Sequence, residues 1–113
     1  MNLPLERLDL LPMASGNESL LLTERVGWES CPTYAEAISS WLERTIVDRA
    51  DSPVERVWTV RIGEWSFWLA YDDYPGGVSL DPKDSNASAL IPAIRQRLLD
   101  LREQRTRPAG REP

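Results

Sequence analysis

Two strand-like runs joined by only two residues constrain the fold of this chain more than any other sequence feature. Val54 to Ile62 and Trp65 to Asp72 are separated by Gly63-Glu64. A Gly-X pair is typical of a two-residue hairpin, because glycine readily adopts the positive φ that a type II′ turn needs at its first position. A turn this short fixes the register of the hairpin.

That register divides the hairpin into two faces, since successive side chains of a strand point in opposite directions. The pairs predicted on the first face are Ile62–Trp65, Val60–Phe67, Trp58–Leu69 and Arg56–Tyr71. The pairs predicted on the second face are Arg61–Ser66, Thr59–Trp68 and Val57–Ala70. The first face is nearly all apolar and is expected to face the core. Trp68 is then the one large aromatic residue of the hairpin that points away from it.

Two short apolar runs before the hairpin predict two N-terminal strands. The first run consists of the leucines that precede Pro12, and the second extends from Leu20 to Val26. Leucine is only a modest strand former, and Leu5, Leu8 and Leu11 also fit the spacing of a helix. The sequence therefore leaves residues 3–12 open as a strand or a helix.

The region after Pro32 predicts an amphipathic helix. Thr33 and Glu36 fit a capping box, in which the threonine oxygen accepts from a backbone amide of the first turn and the glutamate reaches back. Apolar residues then recur at helical spacing, with polar residues on the opposite side. We expect this helix to run from residue 33 to about residue 48.

A third strand and a second helix are predicted after the hairpin. Val78 and Leu80 alternate with polar residues, as in a short strand that completes a meander. The apolar stripe that follows is helical, and it contains Pro92. Because proline is tolerated in the first turn of a helix, we expect the second helix to begin near Ser88 or Ala89.

These elements predict one α+β domain over residues 1–103. Its antiparallel sheet has four to five strands, two N-terminal strands and a three-strand meander, packed against two amphipathic helices. A length of 113 residues fits a single domain. Residues 104–113 have no apolar periodicity and are expected to form a disordered tail. Five arginines lie between positions 95 and 107, and a solvated helix face accounts for most of them.

Charge and composition exclude several classes of protein. Eighteen acidic and thirteen basic side chains give a net charge of −5, which repels nucleic acids and anionic membranes and favours a basic partner. Cys31 is the only cysteine and histidine is absent, so neither an intramolecular disulfide nor a structural zinc site is expected. The sequence shows no signal peptide and no apolar run of membrane-spanning length. We expect a cytoplasmic protein.

An acidic cluster is the feature that most resembles a chemical site. It consists of Asp72, Asp73, Asp81 and Asp84, and carboxylate oxygens are ligands for Mg²⁺ and Ca²⁺. The spacing matches no EF-hand, and Asp81 and Asp84 are also suited to turn and helix-capping positions. No second polar constellation accompanies the cluster, so we expect no enzyme, no cofactor and no resident metal.

Trp68 and the acidic loop after it are the predicted partner-binding residues. An exposed tryptophan beside acidic residues is typical of a binding hot spot. The predicted set is Trp68, Asp72, Asp73, Tyr74, Asp81 and Asp84. A helix packed over Trp68 would be the structural alternative.

The sequence resembles a family of small uncharacterised bacterial α+β proteins over residues 19–82. The residues that carry the resemblance are Trp28, Cys31-Pro32-Thr33-Tyr34-Ala35, Val57-Trp58-Thr59-Val60, Trp68-Leu69-Ala70-Tyr71-Asp72 and Val78-Ser79-Leu80. They are mostly structural aromatic and turn residues, and the resemblance implies no catalytic residue. In size, acidity and lack of catalytic chemistry the chain is also similar in type to immunity proteins encoded beside bacterial toxins.

Three functions are therefore kept open. The first is a non-enzymatic cytoplasmic binding protein, an immunity protein that neutralises a basic toxin by direct contact. The second is a homodimeric structural or housekeeping domain that uses the outer face of the hairpin. The third is a weak divalent-cation or small-ligand site at the acidic loop.

Overall fold

The computed structural model describes residues 4–52, 55–72 and 77–106. Within these ranges the chain forms six strands, β1 (Asp9–Pro12), β2 (Glu18–Thr23), β3 (Thr45–Asp51), β4 (Glu55–Ile62), β5 (Trp65–Asp72) and β6 (Gly77–Pro82). Its helices are α1 (Cys31–Trp41), the single turn α2 (Ser85–Ser88) and α3 (Ile91–Thr106). All strands pair antiparallel in one sheet, in the order β1-β2-β6-β5-β4-β3.

One face of the sheet carries the apolar core. Phe67, Val60 and Leu69 of the hairpin are at most 3% exposed, and they join Ile38 of α1 and Leu98 of α3 in one buried cluster. The helices therefore lie on this face. Most side chains on the opposite face are partly or fully exposed. The α+β class is confirmed.

The hairpin forms in the predicted register. Ile62 pairs with Trp65 across the turn, and all the other predicted pairs follow on both faces. Gly63 has a φ of +63°, whereas the φ of Glu64 is not positive, as a type II′ turn requires. The two-residue loop was therefore sufficient to place every side chain of β4 and β5 on its correct face.

The prediction of four to five strands was too low, because residues 45–51 form a strand, and residues 45–48 of it were assigned to the first helix. Helix α1 ends at Trp41 in a Schellman motif, in which Glu43 N donates to Ser40 O at 3.0 Å and Arg44 N donates to Ser39 O at 2.8 Å. Glu43 has a φ of +58° at the position that glycine usually occupies. The β-branched run 45–47 then favours a strand over a helix.

The predicted capping box at the start of α1 was also wrong. The helix begins at Cys31, with Ser30 as its N-cap residue and Pro32 inside the first turn, where its missing amide hydrogen is not needed. Thr33 is therefore already helical. The Ser30 hydroxyl accepts a hydrogen bond from Gly27 N at 3.0 Å and caps no helix amide.

The N-terminal segment is a strand only from Asp9. Residues 4–8 have no regular structure, but Leu5 and Leu8 are 2% and 1% exposed. Two arginines of α3 hold this segment in place. Arg95 Nε donates to Leu8 O at 2.6 Å and Arg102 Nη1 donates to Leu5 O at 2.9 Å. These two arginines are structural donors and not part of a solvated helix face.

The second helical region is split into α2 and α3. Asp84 caps α2 by accepting from Ala87 N at 2.8 Å, which confirms its expected capping role. Helix α3 begins at Ile91, later than the predicted start near Ser88 or Ala89, and Pro92 lies in its first turn as predicted. It continues to Thr106, and the rest of the predicted tail, residues 107–113, lies outside the described residues. In the described parts of the chain, no helix is long and apolar enough to cross a membrane.

Candidate functional site

The sheet face opposite the helices is the candidate site, and we call it the open face. Cross-strand pairing places six of its residues side by side across the whole sheet, Leu11, Ser19, Asp81, Trp68, Thr59 and Asp48. The next row consists of Asp9, Leu21, Ser79, Ala70, Val57 and Ala50. A flat face with small side chains in its second row allows close approach by another molecule.

Trp68 lies near the middle of the open face. It is 37% exposed, and its neighbours are Asp81 on β6 and Thr59 on β4. Lys83 Nζ is 5.2 Å from the centre of the ring, which is within reach of a cation–π contact. Thr59 is only 7% exposed although it lies on this open face. The indole of Trp68 is thus accessible to a partner, whereas the neighbouring Thr59 side chain is covered by the protein itself.

Carboxylates outnumber basic groups on the open face. Among the described residues, five carboxylates lie on its strands, Asp9, Asp48, Glu55, Asp72 and Asp81, against one arginine, Arg61, and Lys83 just after β6. Asp9 is paired with Arg7 at 2.7 Å, and Asp81 accepts a hydrogen bond from the Ser19 hydroxyl. Glu55 lies directly opposite Asp72, an arrangement of like charges that destabilises a sheet. The open face therefore has a negative field.

A concavity of about 420 Å³ lies beside Trp68 in the part of the open face that β1, β2, β6 and β5 form. Its lining combines the small side chains of Ala70 and Ser79 with the apolar Leu21 and the carboxylates of Asp72 and Asp81. This volume is in the range of small-ligand sites. An apolar wall with acidic groups suits the aliphatic stem and charged end of a lysine or arginine side chain.

The structure brings together three of the six predicted site residues. Trp68, Asp72 and Asp81 share the open face, whereas Asp84 lies after β6 and caps α2. Asp73 and Tyr74 lie outside the described residues. No group of three or more potential metal-ligating side chains comes together in the described ranges of the chain.

Sequence reasoning missed three open-face carboxylates, Asp9, Glu55 and Asp48. Glu55 could have been found, because extending the hairpin register by one pair places it opposite Asp72. Asp48 could not, because its strand was predicted as helix. Asp9 depends on the pairing of β1 with β2, and residues 3–12 had been left open as a strand or a helix.

Cys31 and Tyr34 lie in the core and not at the candidate site. The pKa of the Cys31 thiol is raised to about 11, mainly by burial. The positive charge of Arg56 lowers this pKa, and the negative charge of Asp51 raises it. Burial likewise raises the pKa of the Tyr34 hydroxyl, which donates to Pro4 O at 2.7 Å. A thiol with such a pKa is almost entirely protonated at neutral pH and is a poor nucleophile.

Comparison with known proteins adds a family and no function. The model of a family described as a protein of unknown function (DUF3630) matches residues 8–94, a range that includes the whole sheet and the first turn of α3. No curated protein and no solved structure matches the chain.

Proposed function

The chain belongs to the DUF3630 family of proteins of unknown function, and we propose that it is a non-enzymatic binding protein that docks its open face on a basic protein. The observation that carries this proposal is the combination of five open-face carboxylates with the accessible indole of Trp68. Complementary charge accelerates encounter and selects the partner. A central tryptophan supplies the desolvated contact on which affinity depends.

The size of the open face is compatible with such a complex. Six strands about 4.8 Å apart, with residues about 3.3 Å apart along each strand, give a face of roughly 24 by 20 Å. A standard protein interface buries about 800 Å² of accessible surface on each partner. The open face alone is therefore roughly 480 Å² in projection, and a standard interface would also include its rim.

In its finer form, the proposal is that the chain is a cytoplasmic immunity protein of bacteria that neutralises a toxin by covering its basic active cleft. The support for this form is the net charge of −5 on a chain of only 113 residues, together with the location of the five open-face carboxylates on the same sheet face as Trp68. A cleft that binds a phosphate backbone is rich in lysine and arginine. An acidic face can occupy such a cleft in place of the substrate.

The test is affinity purification of the tagged chain from its native host, followed by calorimetry with the recovered protein. We expect Trp68→Ala to weaken binding by about 30-fold, the effect of a hot-spot residue worth roughly 2 kcal/mol. Asp81→Asn should weaken binding less and reduce its salt dependence. Glu36→Gln on the exposed side of α1 is the matched control and should bind like the wild type.

Two outcomes would contradict the proposal. One is the absence of any stoichiometric protein partner. The other is a partner that binds the Trp68→Ala and Asp81→Asn variants as tightly as the wild type. Neighbouring genes that include no toxin would count against the finer form alone.

The homodimer is disfavoured as an alternative by the same charges. A symmetric dimer formed through the open face would place one acidic surface against a second copy of itself, which costs free energy at low salt. A monomer in sedimentation at high micromolar concentration is therefore expected.

A further inference from the structure

A second concave surface lies on the helix side of the sheet, away from the open face. It is a groove of about 430 Å³ where the end of α1, the end of β4 and the start of α3 meet. Leu42, Ile62 and Leu90 line it with half-buried side chains, and Ile94 is 8% exposed at its inner side. The volume is that of a site for a small molecule. We call it the end groove.

Two arginines accompany this apolar lining. Arg44 and Arg97 both line the end groove, in a protein whose net charge is −5. Arg97 Nη2 lies 3.5 Å from a carboxylate oxygen of Glu43. The two side chains are 53% and 79% exposed, so their ion pair contributes little stability. A carboxylate from another molecule can replace that of Glu43 at small cost.

The end of α1 places an acidic and a basic group at this rim. Glu43 has a φ of +58°, the left-handed conformation of the residue that follows the C-cap in the Schellman motif. Arg44 follows directly and its Nη1 donates to Glu43 O at 3.4 Å. This turn therefore holds Glu43 and Arg44 next to Arg97 at the mouth of an apolar groove.

We infer that the end groove binds a small amphipathic carboxylate, with its apolar body against Leu42, Ile62 and Leu90 and its carboxylate on Arg97 and Arg44. Arginine presents paired N–H donors that match a carboxylate in geometry. Glu43 already places a carboxylate at Arg97, and the ligand takes over that position. This inference is independent of the open face, because the end groove contains none of its residues.

The experiment is an NMR titration of the ¹⁵N-labelled full chain with sodium octanoate. Octylammonium, which has the same alkyl chain and the opposite charge, is the matched probe. Octanoate is expected to shift the amides of residues 42–44, 62, 90, 91 and 93–97 in a saturable way, and octylammonium to bind about tenfold more weakly or not at all. Localised shifts of these amides distinguish the end groove from general binding to apolar surface.

Four variants of exposed residues, one of them a control, test which groups recognise the carboxylate. Arg97→Gln and Arg44→Gln should each weaken octanoate binding about fivefold or more, whereas Arg61→Gln on the open face should leave it unchanged. Glu43→Gln should strengthen binding, because it removes the competing carboxylate. Equal binding of octanoate and octylammonium, or equal effects of Arg97→Gln and Arg61→Gln, would overturn the inference. So would the absence of saturable shifts in the end groove at millimolar octanoate.

Discussion

Glycine at position 43 should give a more stable protein than alanine, although glycine is the less stable of the two at most helical positions. An L-residue in the left-handed region costs about 1–2 kcal/mol, and Glu43 has a φ of +58° at the end of α1. Glycine avoids that cost. However, glycine has more conformational freedom in the unfolded chain, and this lowers the free energy of unfolding by roughly 0.5–1 kcal/mol. We therefore expect Glu43→Gly to be more stable than Glu43→Ala by about 0.5–1 kcal/mol. Both variants lose the ion pair with Arg97, so it does not enter the comparison.

Glu36 provides the matched reference position, because it is an exposed residue within α1. At this site glycine should be less stable than alanine by about 0.8–1 kcal/mol. The assay is urea unfolding followed by tryptophan fluorescence, together with thermal unfolding, in which 1 kcal/mol corresponds to about 4 °C for a domain of this size. The alanine-to-glycine difference should change sign between the two positions. The same sign at both would refute the assignment of a left-handed residue at the end of α1.

Four further results are expected. Arg95→Gln should lower the free energy of unfolding by roughly 1.5–3 kcal/mol in urea titrations, because it removes a charged donor from Leu8 O, at 2.6 Å; an unchanged midpoint would show that this hydrogen bond is not structural. Burial alone would raise the pKa of Glu6, but hydrogen bonds from a backbone amide and a hydroxyl lower it overall. The Glu6 carboxylate therefore contributes stability above its unfolded pKa of about 4.3, and this contribution is lost as the pH falls through the lower pKa of the folded state. The difference in unfolding free energy between the wild type and Glu6→Gln should accordingly disappear in acid. A difference that grows in acid would contradict this. Burial raises the pKa of the Cys31 thiol to about 11. This thiol should therefore react with a disulfide reagent at pH 8 only as fast as the chain unfolds. A reaction rate that does not depend on denaturant concentration would contradict the burial of Cys31. Trp68→Ala should lower the free energy of unfolding by roughly 1–3 kcal/mol, since Trp68 is 37% exposed and the rest of its surface is covered. The loss of about 3–5 kcal/mol that is typical of a fully buried aromatic residue would assign Trp68 to the core.

The hairpin was predictable because its information is local. Two residues, Gly63 and Glu64, fix the pairing of β4 with β5, and that pairing places Trp68 on the open face. The end of α1 was not predictable in the same way. Glu43 occupies the position at which a glycine usually marks the end of a helix. Because that glycine is missing, the sequence pattern predicted a helix that continued into β3.

The remaining part of the open face depends on contacts between distant parts of the chain. Asp81 meets Ser19 across 62 residues of sequence, because β6 returns to pair with β2. Apolar periodicity shows that β2 and β6 each have a buried side, but it does not show that they are neighbours. The concavity beside Trp68 lies where β1, β2, β6 and β5 adjoin, and for this reason it could not be predicted from the sequence.

The hydrogen bonds from α3 to the N-terminal segment have a consequence for the order of folding during synthesis. Arg102 and Leu5 are separated by 97 positions and Arg95 and Leu8 by 87, so this part of the fold has a high contact order. The β4–β5 hairpin can form within microseconds of leaving the ribosome. Leu20 and Leu22, which are fully buried in the folded protein, have no completed core until β6 and α3 have been made. Until then, the nascent chain exposes an apolar N-terminal hairpin, and exposed apolar surface of this kind is prone to aggregation or to capture by a chaperone.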